Sequence, residues 1–155
     1  MVWKIREPMN TIGSRKDVLL LVNTFYSKIR KDDLLGPIFN SHISPDQWPE
    51  HSSKLTDFWE TNLFGIAKFK GNPTQKLLKV DENLNYSIGQ QHFGKWLNLW
   101  VETIEELFSG ARAKKAIYMA RKMATGQYIA LWQHKSDNKN YKHKLNTYIK
   151  KEPSQ

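Results

Sequence analysis

His51 is the side chain of this 155-residue chain whose chemistry and place on an apolar helical face suggest a binding site, and Tyr26 widens the apolar stripe of the preceding helix. An imidazole can ligate a metal, transfer a proton or donate a hydrogen bond, and a phenol can donate a hydrogen bond or ligate a metal once deprotonated. His51 lies in the spacing Trp48-x-x-His51-x-x-Lys54. A lone histidine on an apolar helical face is also commonly a hydrogen-bonded core residue, and a buried tyrosine commonly has a partnered hydroxyl. Both interpretations stay open at this point.

Other kinds of chemistry find little support in the sequence. The chain contains no cysteine, so disulfides, thiolate metal sites and cysteine nucleophiles are excluded. It also lacks a glycine-rich phosphate loop, a His-Glu-x-x-His pair and a Gly-x-Ser-x-Gly elbow. Glu102, Glu105 and Glu106 have the spacing of a solvated helix surface. We therefore expect a binding protein rather than a hydrolase or a nucleotide-dependent enzyme.

The charge of the chain sets limits on its partners. Lysine and arginine outnumber acids 24 to 15, a formal net charge of +9. Such an excess attracts polyanions generally, and no motif that reads bases accompanies it, so we expect no specific nucleic-acid partner. No segment approaches the roughly 20 apolar residues that span a bilayer, so we expect no membrane insertion and a cytoplasmic location.

The elements that position Tyr26 and His51 are predicted to be helices. Helical periodicity recurs and strand-like alternation does not, which predicts an all-α domain. The first helix is predicted to begin at Ser14, with Asp17 as its capping acid, and to end at Gly36-Pro37. The second is predicted to begin at Ser44-Pro45-Asp46-Gln47, which is typical of a first helical turn, and it places His51 on an apolar face.

The second half of the chain is predicted to be less regular at first. Residues 68–89 are broken by Gly71-Asn72-Pro73, and the run from Asp81 to Asn85 is too polar for a core helix, so we predict at most one short helix there, near Thr74 to Val80. A third long helix is predicted from Ser87 to Ser109-Gly110, and a fourth from Ala111 to about Gln133. The chain then divides into an N-terminal segment 1–13, a helical domain 14–133 and a basic polar tail 134–155.

Two long helices, an irregular connection and two more long helices resemble the globin-like two-over-two sandwich of truncated haemoglobins. The residue motifs resemble the third group of that family, over roughly Val18 to Trp132. In chain order they are Phe25-Tyr26, Leu35-Gly36-Pro37-Ile38-Phe39-Asn40, Trp48 with His51, Lys54 and Phe58-Trp59, Lys70-Gly71-Asn72-Pro73, and His92-Phe93-Gly94-Lys95-Trp96-Leu97 with Trp100. Each motif is weak alone, and their order and spacing together are specific.

The resemblance implies a protein that holds haem b between its helices and binds oxygen or another diatomic gas ligand. By that resemblance Tyr26 takes the distal tyrosine position and His51 the distal histidine position. Trp96 corresponds to the tryptophan that closes the distal pocket, and Phe39 to the aromatic residue packed on the porphyrin. Phenol, imidazole and indole groups can each donate a hydrogen bond to the partial negative charge of a bound oxygen.

The proximal position departs from the family pattern. The family's proximal histidine follows the Gly-Asn-Pro motif by a few residues, and four steps from Pro73 lead to Leu77. Residues 52–91 contain no histidine, cysteine or methionine, the usual axial ligands of haem iron. Three alternatives stay open. His92 replaces the missing ligand, or His51 or Tyr26 ligates the iron, or Leu77 and its neighbours fill the pocket of a globin fold that binds no haem.

These alternatives correspond to two functions. In the first, the chain is a haem protein with atypical iron ligation that binds a diatomic ligand, and redox or gas-detoxifying activity stays open. In the second, it is a haem-free relative whose helical sandwich is a sensor or interaction module. The set of Tyr26, His51 and Trp96 favours the first, and Leu77 favours the second.

Overall fold

The computed structural model describes residues 10–138. Within that range the chain forms six α-helices and a short 3-10 turn, and no strand. The helices are α1 (Arg15–Lys31), α2 (Gly36–His42), α3 (Trp48–Phe64), α4 (Pro73–Asn83), α5 (Gln90–Leu107) and α6 (Ala111–Asp137), with the 3-10 turn at Pro45–Gln47. The prediction of an all-α fold is confirmed. Most of the predicted tail, residues 139–155, and residues 1–9 of the N-terminal segment lie outside the described residues.

The helices form two crossed pairs. α1 packs against α3, α5 packs against α6, and contacts of α1 with α5 and of α3 with α6 join the pairs. Trp59 and Trp100 stack at the centre with ring centroids 4.5 Å apart, and Trp100 donates its indole N–H to the backbone oxygen of Ala116 at 3.2 Å. Small residues on the buried face of α6 let the helices approach closely. This is the predicted two-over-two sandwich.

The first helix ends earlier than predicted. α1 ends at Lys31, because the Asp32 side chain accepts hydrogen bonds from the backbone N–H groups of Leu34 and Leu35 and turns the chain. Gly36-Pro37 then begins α2, since proline is tolerated in the first turn of a helix. A Cβ atom on Gly36 would lie 2.8 Å from the backbone oxygen of Arg30. Glycine therefore permits α2 to approach the end of α1 this closely.

The predicted first turn at Ser44 to Gln47 is present as the 3-10 turn, α3 itself begins later, at Trp48, and the boundaries of α4 to α6 also differ from the prediction. The Gln47 side chain accepts the Ser44 N–H at 2.9 Å, which completes the predicted turn before α3. α4 is 11 residues long and continues to Asn83, past the predicted end at Val80. α5 begins at Gln90 and not at Ser87, because His92 Nδ1 accepts the Gly89 N–H at 2.9 Å. α6 continues past Gln133 to Asp137.

A group of polar contacts attaches the end of α4 to the end of α6. The Lys135 ammonium donates to the backbone oxygens of Tyr86 and Ile88 at 2.7 and 2.6 Å and lies 3.6 Å from Asp81. Asp81 is fully buried, and its Oδ1 accepts the Ile88 N–H at 3.0 Å. His134 contacts Glu82 at 2.8 Å. The polar run at residues 81–85, which argued against a core helix, thus includes a buried carboxylate whose partner lies far along the chain.

Candidate functional site

Tyr26 is the centre of an aromatic cluster that joins four helices. Its ring lies 5.8 Å from Phe39, 5.6 Å from Trp48 and 5.9 Å from His51, centroid to centroid. Its hydroxyl is hydrogen-bonded to Trp96, whose indole N–H is the donor. The structure therefore brings together Tyr26, Phe39, His51 and Trp96, which the sequence placed in one site through a family resemblance. Their roles remain predictions.

The Tyr26 hydroxyl is neutral at physiological pH. Burial raises its pKa to about 12, and the hydrogen bond from Trp96 opposes that rise only in part. Because the indole N–H occupies a lone pair of the phenol oxygen, the phenolic O–H stays available to donate to another group. Tyr26 and Trp96 are thus coupled, and the phenol provides the donor in a nearly dry environment.

His51 is neutral as well, and burial is again the main cause. Burial is the largest cause that lowers its pKa below the ordinary 6.5, and the positive charges of Lys76 and Lys54 lower it further. Within residues 10–138 neither ring nitrogen of His51 has a hydrogen-bond partner, and its ring packs edge-on against Trp48 at 5.2 Å. A neutral imidazole carries a free lone pair, so His51 is able to ligate a metal without losing a proton.

The side of α3 that carries His51 is an incompletely buried apolar face. Trp48, Ser52, Thr56, Trp59 and Leu63 are buried, whereas the neighbouring face with His51, Leu55 and Phe58 is only half-buried. Leu77 and Leu78 on α4 and Phe39 and Trp96 near the cluster are also half-buried. The effect of the Lys76 charge on His51 indicates that α4 faces this side. We name the half-buried face of His51, Leu55 and Phe58, together with α4, the cleft.

Leu77 lies on α4, as predicted, and no described ring contact or hydrogen bond joins it to the Tyr26 cluster. Its neighbour Lys76 is the α4 residue whose charge reaches His51. In residues 10–138 no group of three or more His, Cys, Asp or Glu side chains is placed to hold a metal ion.

His92 is occupied in the structure by another contact. Its Nδ1 accepts the Gly89 N–H and so fixes the first turn of α5. Ligation through Nδ1 would break that contact, and only Nε2 would remain for a metal. The structure thus gives His92 a capping function that explains its presence without iron.

Nothing in the residue pattern predicts the surroundings of Trp48. Trp48 is 5% exposed, and its Nε1–H is buried without an acceptor in the described part of the chain. The Arg30 guanidinium lies 4.8 Å from the centre of its ring. The motif around His51 contained Trp48, and only the three-dimensional contacts reveal the unpaired donor.

The residues present fit haem on one side of the cleft. The half-buried apolar face suits a flat hydrophobic group, and Tyr26, His51 and Trp96 supply the polar groups expected above an iron atom. The α4 side offers Leu77 and contains no nitrogen or sulfur side chain of the kinds that usually ligate haem. A histidine able to ligate haem is thus present on α3 and absent from α4.

The crossed helix pairs and the cluster of tyrosine, histidine and tryptophan define the class of small globins with a two-over-two sandwich. The group 3 truncated hemoglobin of Campylobacter jejuni is 31% identical to this chain over 114 residues, which cover 72% of this chain and 86% of that protein. The crystal structure of group III truncated hemoglobin from Campylobacter jejuni matches with a TM-score of 0.69 and 30% identity, over 77% of this chain and 92% of that chain. No family profile matches the sequence. The chain belongs to the group 3 truncated haemoglobin family.

None of the helices within residues 10–138 combines the length and the apolar content needed to cross a bilayer.

Proposed function

We propose that this chain is a haem protein that binds haem b in the cleft with His51 as the axial protein ligand. The observation that carries the proposal is the state of His51, a neutral, half-buried imidazole with no hydrogen-bond partner in the described chain. Its ring nitrogens are not among the buried polar atoms that lack a partner, so they reach solvent and stay accessible to an incoming metal. Their lone pair is available for a bond to iron.

Tyr26 is the weaker candidate for the axial ligand. Tyrosine ligates iron as the phenolate, and with a pKa of about 12 its deprotonation at pH 7 costs roughly 7 kcal/mol before any bond to iron forms. His51 requires no such step. Tyr26 and Trp96 are better suited to donate hydrogen bonds.

When bound, haem would supply an iron that takes oxygen or another diatomic ligand, as the family resemblance implies. The chain's own residues determine the surroundings of that ligand. Tyr26 and Trp96 lie on the same side as His51, so the Tyr26 O–H would reach a diatomic ligand only if that ligand displaced His51 from the iron, and Phe39 packs against the Tyr26 ring. Leu77 and Leu78 present hydrocarbon from α4, so apolar contact replaces a proximal bond on that side.

A haem-free sensor or interaction module is the second candidate function. The observation that favours it is Leu77 at the proximal position, on a helix without histidine, cysteine or methionine. If haem were bound without a proximal bond, only the contacts within the cleft and a bond to His51 would hold the porphyrin. The same experiment separates the two functions.

The test is a haemin titration of the purified full chain, followed in the Soret region for the ferric, ferrous and carbon monoxide forms. We expect a saturable one-to-one band whose position changes in His51→Ala. Tyr26→Phe should change the carbon monoxide spectrum more than the ferric one, because it removes only the donor. His42→Ala is the matched control, since His42 is exposed at the end of α2 and outside the cluster.

Each outcome assigns the function. A saturable band that His51→Ala shifts and His42→Ala leaves unchanged supports haem binding through His51. A saturable band that is the same in wild type and His51→Ala contradicts the ligation by His51. Weak, unsaturable absorption contradicts haem binding and favours the haem-free module.

A further inference from the structure

A groove separate from the cleft lies between α1, the end of α2 and the start of α3. Its volume is about 980 Å³, within the range of small-molecule sites. Tyr26 and Trp48 line this groove, and their rings also contact His51. The groove therefore borders the aromatic cluster and extends away from it toward Arg30 and Lys31.

The lining of the groove carries positive charge that no acidic lining residue neutralises. Arg30 and Lys31 are its charged residues, no aspartate or glutamate lines it, and neither cation forms an ion pair within residues 10–138. Glu50, next to the lining residue Pro49 in the chain, is engaged by Lys54 at 3.3 Å. A guanidinium without a carboxylate partner presents a planar set of donors that matches a carboxylate.

The unpaired indole N–H of Trp48 is a second donor in the same wall. Arg30 lies over the Trp48 ring, so the guanidinium and the indole are adjacent. The Trp48 Nε1 atom is shielded from solvent in the structure, so an incoming group reaches it only if the wall adjusts. The exposed Arg30 side chain has no ion pair to lose when it shifts. An acceptor oxygen beside Arg30 would then satisfy the buried N–H.

The rest of the groove offers an apolar strip beside the small polar side chains of Asn23, Ser27 and Ser52. Leu19, Ile43, Pro45 and Pro49 line it, and the Asn40 side chain is already committed to the Arg30 backbone oxygen at 3.0 Å. We propose that this groove binds a small monocarboxylate with an apolar tail, whose carboxylate contacts Arg30, Lys31 and the Trp48 indole while the tail lies on Leu19 and the two prolines. This site does not depend on haem binding in the cleft.

The test uses octanoate as the probe on the full chain. Isothermal titration should give saturable binding that weakens with salt, and 1-octanol and acetate should bind at least tenfold more weakly because each lacks one half of the ligand. Arg30→Gln should weaken octanoate binding about tenfold, or about 1.4 kcal/mol. Lys16→Gln is the matched control, because it removes the same charge from an exposed position on α1 outside the groove.

The indole N–H gives an independent readout. The chain has six tryptophans, and the Trp48 indole signal is the one absent from the nitrogen-15 NMR spectrum of Trp48→Phe. This signal should move downfield on addition of octanoate as the N–H gains an acceptor. Equal affinity for octanoate and octanol, equal weakening by Lys16→Gln and Arg30→Gln, or an unmoved Trp48 indole signal would each overturn the proposal.

Discussion

The contact between Lys135 and Asp81 provides the sharpest prediction about stability. Lys135→Met keeps the length and the apolar stem of the side chain and removes the ammonium. The backbone oxygens of Tyr86 and Ile88 then lose a charged donor. Asp81, with a side chain that is 0% exposed, keeps only the Ile88 N–H, and its Oδ2 is already unpaired. A buried charge is thereby left without its partner.

The expected cost is large for a domain of this size. Removal of one member of a buried ion pair typically costs about 3–5 kcal/mol. The Lys135 side chain is 13% exposed, so water compensates little. Since small domains are stable by only about 5–15 kcal/mol, this loss is a substantial part of the total. With a urea m-value of about 2 kcal/mol/M, the unfolding midpoint should fall by about 2 M.

The assay is urea unfolding followed by circular dichroism, arranged as a double-mutant cycle with Asp81→Asn. The asparagine keeps an acceptor for the Ile88 N–H and removes the charge, so Lys135→Met should cost about 1–3 kcal/mol less in that background. Lys79→Met is the control, because Lys79 is an exposed lysine of α4 and should cost below about 0.5 kcal/mol. A cost for Lys135→Met under about 1 kcal/mol, or additivity with Asp81→Asn, would refute the reasoning.

Three further predictions concern the core, the pH dependence and the cofactor. Trp100→Ala should lower the free energy of unfolding by about 3–5 kcal/mol, and a loss below about 2 kcal/mol would contradict its central position. Because the folded-state pKa of His51 lies below its ordinary value of 6.5, the unfolded chain takes up the proton first as the pH falls. The free energy of unfolding should therefore decline below about pH 7, and it should decline less in His51→Gln. Urea midpoints measured between pH 7.5 and 5 test this. An equal dependence of the midpoint on pH in the two proteins would be inconsistent with a neutral, desolvated imidazole. Leu77→His should tighten haemin binding more than about tenfold and, with His51 on the other side, give a six-coordinate ferrous spectrum that becomes five-coordinate when His51→Ala is added. Leu78→His should do neither, and equal effects would place the proximal position elsewhere.

Local chemistry explains which parts of the fold were predictable. The turn at Ser44 to Gln47 is stabilised by a contact three residues apart, so sequence inspection identified it. The predicted end of α1 was wrong because Gly36-Pro37 is equally able to end a helix and to begin one. The Asp32 side chain, which accepts two backbone N–H groups, decides between these outcomes.

Long-range contacts explain what the sequence did not reveal. Asp81 looked too polar for a helix on the core because its partner Lys135 lies on another helix. Tyr26 and Trp96 were associated through a family resemblance, and periodicity alone could not have shown their hydrogen bond. The unpaired indole of Trp48 had no signal in the sequence, since a missing acceptor is a property of the folded surroundings.

The close approach at Gly36 has a consequence for how this protein can vary. A single methyl group at that position would have to push two backbones apart, because the Arg30 oxygen lies 2.8 Å from where the Cβ would stand. Any such movement would carry α2 with it, and Phe39, which packs on Tyr26, is on α2. Variation in the aromatic cluster is therefore constrained by a residue that has no side chain and touches no ligand. A Gly36→Ala change would alter the cluster as surely as a substitution within it.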